Sequence, residues 1–264
     1  MRLERISLSK ENEDVYLDAY IACPTKNFTR KALLVIPGGG YGGVCFDREG
    51  EPIAMAFIPY GYNAFVLHYT VARKASFPTQ LIEVARAIKH IKDHAEEYGI
   101  DPEELFTVGF SAGGHLSASA GVLWKLDEVQ KAVEMPYGYN KPKGTMLIYP
   151  VFSYHRGSFK NLWCTDTPSE EQINACAINL HVDADSAPAF IVHTANDDIV
   201  DVSNAIDAAQ AYSKAGVPFE LHVYPDGPHG LAVANEITAG GKEHNIRPNV
   251  AEWVRMAAYW ADHL

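Results

Sequence analysis

Residues 105–116 read LFTVGFSAGGHL, and this stretch constrains the fold more than any other part of the chain. A short apolar run (Leu105, Phe106, Val108) leads into Gly109-Phe110-Ser111-Ala112-Gly113, and small residues with helical spacing follow at once. G-x-S-x-G between a strand and a helix marks a turn so sharp that the serine backbone is strained and its flanking positions must be small. Gly109 and Gly113 meet that need, because a Cβ at either place would collide with the neighbouring strand or helix. Ser111 then stands at a helix N-terminus, where free N–H groups and the macrodipole stabilise developing negative charge. The competing reading is a Gly-rich turn with an incidental serine, and only the context can decide between the two.

The context is an alternation of short apolar strands with amphipathic helices. Strands are expected at Val15–Ala22, Lys31–Ile36, Asn63–Tyr69, Leu105–Phe110, Thr145–Pro150, Ala189–Thr194 and Phe219–Tyr224. Helices are expected at Glu51–Pro59, Gln80–Tyr98 (with Gly99 as its C′ residue), Ala112–Trp124, Ser203–Ala215 and Val250–His263. Such alternation implies an α/β protein, with a mostly parallel central sheet covered by helices on both faces. A chain of 264 residues without repeats or low-complexity linkers fits one domain over 1–264. The exception to the alternation is Phe152–Ser186, rich in aromatic and polar residues and helix-like near Ser169–Ala177. An insertion at the C-terminal ends of parallel strands sits above the site, so about 152–186 reads as a small cap; the plainer alternative is a loop packed on the flank.

Composition excludes several functions. A net charge of −11 repels phosphate backbones and anionic membrane surfaces, which argues against a nucleic-acid partner. Cys23, Cys45, Cys164 and Cys176 form no C-x-x-C pair, so neither a metal site nor a disulfide framework is expected, although a Cys164–Cys176 bridge stays open. The N-terminal stretch is polar and lacks the apolar core of a signal peptide. No apolar run approaches the roughly 18 residues that span a bilayer. The expectation is a cytoplasmic protein with no membrane partner; a homodimer stays open.

A serine nucleophile needs a base within hydrogen-bond reach, and the base needs a carboxylate to orient it. Beyond Ser111 the chain offers both. The loop after Ala189–Thr194 carries Asp197 and Asp198, and the loop after Phe219–Tyr224 carries His229. In a parallel sheet these loops emerge at the same edge as the elbow. Asp197 is the favoured orienter because it lies closer to the strand end, whereas Asp198 suits the turn into the next helix. A cation site at Asp197, Asp198 and Asp201 lacks the alternating oxygens and the glycine of a calcium loop. His68, His115, His193 and His222 read as structural, and none shows zinc spacing. The site calls for no metal and no cofactor.

An oxyanion also needs backbone donors. Ala112, directly after the nucleophile, is one candidate. Gly39 and Gly40 in Pro37-Gly38-Gly39-Gly40-Tyr41 are the others, Gly40 first, since glycine lets backbone approach a carbonyl closely. Gly38, Gly40 and Gly43 also satisfy G-x-G-x-x-G. However, Val44–Gly50 delays the helix that a dinucleotide site requires at once, and the next strand ends His68-Tyr69-Thr70 without an acid.

Together these segments resemble the α/β-hydrolase superfamily, and within it the bacterial acetyl-esterase branch, also described as acetyl xylan esterases or carbohydrate esterases. The resemblance rests on Pro37–Gly43, Glu49–Ala54, Gly61–Tyr69, Gly109–Leu116, His193–Val200, Lys214–Ala232 and a final helix ending in Trp260. Asp201 stands where such proteins typically carry a proline after the acid-loop valine, a departure in local loop shape; the acid's place three residues before that valine matches Asp197. The resemblance implies a serine esterase hydrolysing short acyl esters, commonly acetyl groups on sugars or other small substrates. Tyr41, Phe152, Tyr154 and Trp163 would then form a stacking surface for a sugar, or else simply fill the core beneath the cap. A peptidase or formamidase with the same triad, and a non-catalytic binding protein on the same fold, are the competing functions.

Overall fold

The computed structural model describes residues 1–264. Eight strands build one sheet: β1 (Arg2–Ser7), β2 (Tyr16–Ile21), β3 (Arg30–Ile36), β4 (Tyr62–His68), β5 (Ile100–Phe110), β6 (Gly144–Ile148), β7 (Ala189–Thr194) and β8 (Phe219–Tyr224). Their spatial order is β1-β2-β4-β3-β5-β6-β7-β8. β2 runs antiparallel to both its neighbours, and every pairing from β4 across to β8 is parallel. The helices are α1 (Phe46–Glu49), α2 (Glu51–Phe57), α3 (Thr79–Asp93), α4 (Ala95–Tyr98), α5 (Ala112–Val122), α6 (Asp127–Ala132), α7 (Arg156–Leu162), α8 (Glu170–Cys176), α9 (Ser203–Ala215), α10 (Pro248–Ala251) and α11 (Trp253–Asp262).

The central strands are apolar throughout because both sheet faces are buried. Along β3, Ala32, Leu34 and Ile36 enter one core and Leu33 and Val35 the other, the period of two that a strand imposes. The first core lies under α3, α5 and α9, and the second under α2 and α11. This is the α/β-hydrolase architecture, a mostly parallel sheet with helices on both faces.

Several boundaries differ from the sequence reading. β1 was not anticipated: it pairs along its whole length with β2 at the sheet edge and stays largely exposed, so it carries no apolar periodicity. The helix expected over 80–98 breaks at His94 (φ −108°, ψ 22°) into α3 and α4, while the apolar positions Ile91, Ala95 and Tyr98 continue across the break and hide it. The last helix is likewise split into α10 and α11. The four cysteines are free thiols, so no Cys164–Cys176 bridge forms.

The segment 152–186 contains α7, α8 and a short 3₁₀ turn at Ile178–Leu180. A capping box starts α8: Ser169 Oγ accepts from Gln172 N at 3.2 Å, and Gln172 Oε1 accepts from Ser169 N at 2.9 Å. Phe152, Phe159, Leu162, Cys176 and Ile178 anchor the segment in the core on the α5 side.

Candidate active site

The turn between β5 and α5 puts Ser111 at φ 54°, ψ −117°, a left-handed conformation costly for a residue with a side chain. Glycines at both flanks are obligatory here. A Cβ on Gly109 would lie 2.1 Å from the Gly113 carbonyl oxygen, and one on Gly113 would lie 2.1 Å from that of Ile36 at the end of β3. The strained turn is pinned by its backbone: Ser111 N donates to Ile148 O at 3.0 Å, and Ser111 O accepts from His115 N at 3.1 Å.

Three loops at the C-terminal strand edge then converge. His229 Nε2 lies 2.8 Å from Ser111 Oγ, and His229 Nδ1 lies 2.7 Å from Asp197 Oδ2. An ionised carboxylate can only accept, so Nδ1 carries the proton and Nε2 offers its lone pair to the serine hydroxyl. The other Asp197 oxygen accepts from Ile199 N and Val200 N, each at 2.9 Å, which fixes the carboxylate plane. Burial works to raise the Asp197 pKa, but hydrogen bonds from His229 and from these two amides hold it below the usual carboxylate value. Asp198 is exposed, and it is Asp197 that the histidine bonds. Asn196 ties the acid loop to the histidine loop, accepting from Gly227 N at 2.9 Å and donating to Asp226 Oδ1 at 2.8 Å.

The Pro37–Gly43 loop carries free donors beside Ser111. Gly38 O accepts from Cys45 N at 2.9 Å, Gly39 O from Gly42 N at 3.0 Å, and Gly40 O from Asn161 Nδ2 at 2.9 Å. In a trans peptide the C=O and the following N–H point opposite ways, so the N–H groups of Gly39, Gly40 and Tyr41 face away from those anchors. None of the three has a partner within the protein, and neither has Ala112 N, the first amide of α5. Positive φ at Gly39 (131°) and Gly40 (62°) is what lets the loop adopt this form.

The BD-FAE family matches residues 17–151, just over half of the chain. The chain belongs to the BD-FAE family, on the esterase branch of the α/β-hydrolases. An endo-1,4-beta-xylanase B of Butyrivibrio fibrisolvens is 35% identical over 88% of this chain, which covers 38% of that protein. An acetylxylan esterase of Xylanibacter ruminicola is 27% identical over 78% of this chain and 42% of its own length. The chain thus spans about two-fifths of the length of these two relatives. Among solved structures, an acetyl ester-xyloside bifunctional hydrolase of Caldicellulosiruptor lactoaceticus superposes with a TM-score of 0.83 at 30% identity, covering 98% of this chain and 96% of that one.

Within this BD-FAE chain the aromatic residues anticipated for substrate contact divide. Tyr41 and Phe152 are fully buried and offer no stacking surface. The Tyr41 hydroxyl bonds His115 Nδ1 at 2.7 Å, and the Phe152 ring packs on Tyr212. Their flat apolar rings fill the layer between the 152–186 segment and the sheet, where burial outweighs exposure at the cleft. Trp163 is half-buried against Phe77, its Nε1 donating to Cys176 Sγ at 3.3 Å. Tyr154 is exposed, with the edge of Phe159 against it.

The four other histidines weighed from the sequence have structural partners. His115 is buried, with burial pushing its pKa down to about 4. His68 is sandwiched between Tyr16 and Phe46 and pairs with Asp18 at 3.1 Å. His222 pairs with Glu220 at 2.6 Å. His193 Nδ1 meets its own strand-end backbone at 3.0 Å. Sequence reasoning overlooked Asn161 and Asn196, because a side-chain amide in a loop or short helix carries no pattern that distinguishes a clamp from a solvated residue.

No helix of the protein is long and apolar enough to cross a membrane.

Proposed function

We propose that the chain is a carboxylic ester hydrolase that removes short acyl groups, acetyl foremost, from sugars or other small alcohols through an acyl-enzyme. The reading is carried by one observation: the imidazole of His229 lies within hydrogen-bond distance of the Ser111 hydroxyl and of the buried Asp197 carboxylate. His229 Nε2 takes the Ser111 proton as Oγ attacks the ester carbonyl, and Asp197 holds the ring and stabilises the imidazolium. The amides of Ala112 and Gly40, with Gly39 beside them, receive the oxyanion. His229 then protonates the departing alkoxide. In the second half it activates water to release the acid and regenerate Ser111.

The preference for a short acyl group is supported by the insertion over 152–186, whose two helices of seven residues each make a small cap without a long apolar helix to enclose a fatty chain. The similarity to an acetylxylan esterase and to an acetyl ester-xyloside bifunctional hydrolase supports a sugar as the alcohol released. Tyr154 and the open side of Trp163 are the aromatic surfaces left for such a sugar.

Ser111→Ala should lower kcat on p-nitrophenyl acetate by on the order of 10⁴-fold. A fluorophosphonate probe should label the wild type and not the variant. Near-wild-type turnover by the purified variant overturns the mechanism, and a folded wild type that resists the probe points to a binding protein instead.

A further inference from the structure

Glu49 is a carboxylate placed where apolar residues are the rule, 1% exposed at the end of α1. Nothing in the reaction above uses it. Its Oε2 accepts from Gly38 N at 2.7 Å, directly ahead of the Gly39–Gly40 donors. Its Oε1 accepts from the Tyr149 hydroxyl at 3.0 Å, with Arg48 Nε at 3.7 Å. The Tyr149 oxygen in turn accepts from Ala232 N at 3.0 Å, three residues beyond His229, and the Tyr149 ring stands edge-on to the His229 imidazole at 5.0 Å. The line of donors therefore runs from Ala232 N–H through Tyr149 O–H to Glu49, which Gly38 N–H reaches from the other side.

Backbone strain collects along this line. Tyr41, Ser111, Tyr149 and Ala232 have φ of 57°, 54°, 39° and 52°, each a left-handed conformation that persists only where its surroundings over-determine it. A Cβ on Gly38 would lie 2.9 Å from Glu49 Oε2 and 3.1 Å from Ser111 Cβ, so the loop at Gly38 packs closely against both the carboxylate and the Ser111 side chain. Burial pushes the Glu49 carboxyl pKa up, opposed by the Gly38 amide, Arg48 and the Tyr149 hydroxyl. A buried ionisable group is costly unless paired, and here its lone pairs are spent on two loops at once.

We propose that Glu49, acting through Tyr149, is a positioning residue that locks the oxyanion loop and the histidine loop into one rigid unit. The proposal rests on the esterase reading for its kinetic consequence, and on geometry alone for its structural one. Glu49→Gln keeps the shape but loses the charge that both loops donate to. With its oxygen on Gly38 N–H, its NH2 faces Tyr149, whose hydroxyl is left without an acceptor, so both halves of the relay weaken. Tyr149→Phe keeps the ring beside His229 and removes only the bridging hydroxyl.

The test combines esterase kinetics per fluorophosphonate-titrated serine with hydrogen–deuterium exchange. Glu49→Gln should lower kcat on p-nitrophenyl acetate about 10- to 100-fold with KM within about threefold, the signature of lost alignment without lost binding. It should also accelerate exchange in residues 37–50 and 227–234 together. Tyr149→Phe should lower kcat about 3- to 10-fold and accelerate 227–234 alone, and the double variant should fall well short of the product of the two losses. Wild-type kcat per titrated serine in Glu49→Gln, or faster exchange confined to 37–50, overturns the proposal. Should Glu49→Gln fail to fold, a Tyr149→Phe protein indistinguishable from wild type in both measurements overturns it equally. A wild type that hydrolyses no ester sinks the esterase reading, while the exchange pattern still decides whether the relay exists.

Discussion

His229 and His115 make an informative pair of regions, because each imidazole bridges two oxygen partners at 2.7–2.8 Å and yet they serve opposite ends. At His229 the partners are a carboxylate and a serine hydroxyl. At His115, four residues along the chain from Ser111, they are the Tyr41 hydroxyl and the Cys176 carbonyl. A carbonyl only accepts, so Nε2 of His115 carries the proton and Nδ1 accepts from Tyr41, the reverse of the tautomer at His229. Neither neighbour of His115 can offset a positive charge, and burial pushes its pKa down to about 4. Asp197 supplies at His229 the anion that His115 lacks. On the esterase reading, the difference between a base and a structural strut lies in what stands behind the ring, not in the ring.

The comparison breaks most sharply at that anion. Asp197→Asn should lower kcat by on the order of 10³- to 10⁴-fold through loss of the correct tautomer, while Asp198→Asn stays within about twofold. Equal effects of the two in a p-nitrophenyl acetate assay would erase the distinction. Next in size is His115→Leu, which leaves the Tyr41 hydroxyl and the Cys176 carbonyl unpaired. At about 1–3 kcal/mol for each stranded group, the cost should be roughly 2–6 kcal/mol in urea unfolding, with kcat per titrated serine held within about fivefold. A catalytic collapse in a variant of undiminished stability would mean that His115 has been misplaced.

The smallest effect sharpens the contrast by pH. His115 has a folded pKa of about 4 against an unfolded value of about 6.5, so its neutral form contributes stability that is full above about pH 6.5 and lost as pH falls toward 4. His68, with its folded value also near 4 through burial, has the same sign. Between pH 7 and pH 5 each should remove on the order of 2 kcal/mol of unfolding free energy. In His115→Leu that loss should shrink by about one histidine's share; an unchanged pH slope would exclude His115 as its source.

Most of the strand–helix alternation was legible, because burial on both sheet faces leaves continuous apolar runs and the helices carry a one-sided stripe. β1 was not, since an exposed edge strand needs no apolar stripe. Ser111 could be read because steric necessity writes itself into the flanking glycines, and Asp197 and His229 because each follows a strand whose direction is known. Tyr41 and Phe152 were open to two readings, since an aromatic ring in a loop satisfies a cleft or a core equally well on paper. Glu49 fell within a recognised segment yet looked like an ordinary acid near a helix start.

What the chain determined on its own was the type of fold and which three side chains meet at the strand ends, because turn sterics and strand order are local or directional constraints that a linear pattern can record. What only the tertiary structure decided was which carboxylate, tyrosine and histidine became enclosed, and therefore which hydrogen bonds they had to make. Burial is set by residues far apart in sequence, such as Glu49 with Gly38 and Tyr149, or His115 with Tyr41 and Cys176. Once water is excluded, each polar group's role follows from whichever partner the fold happens to bring within about 3 Å.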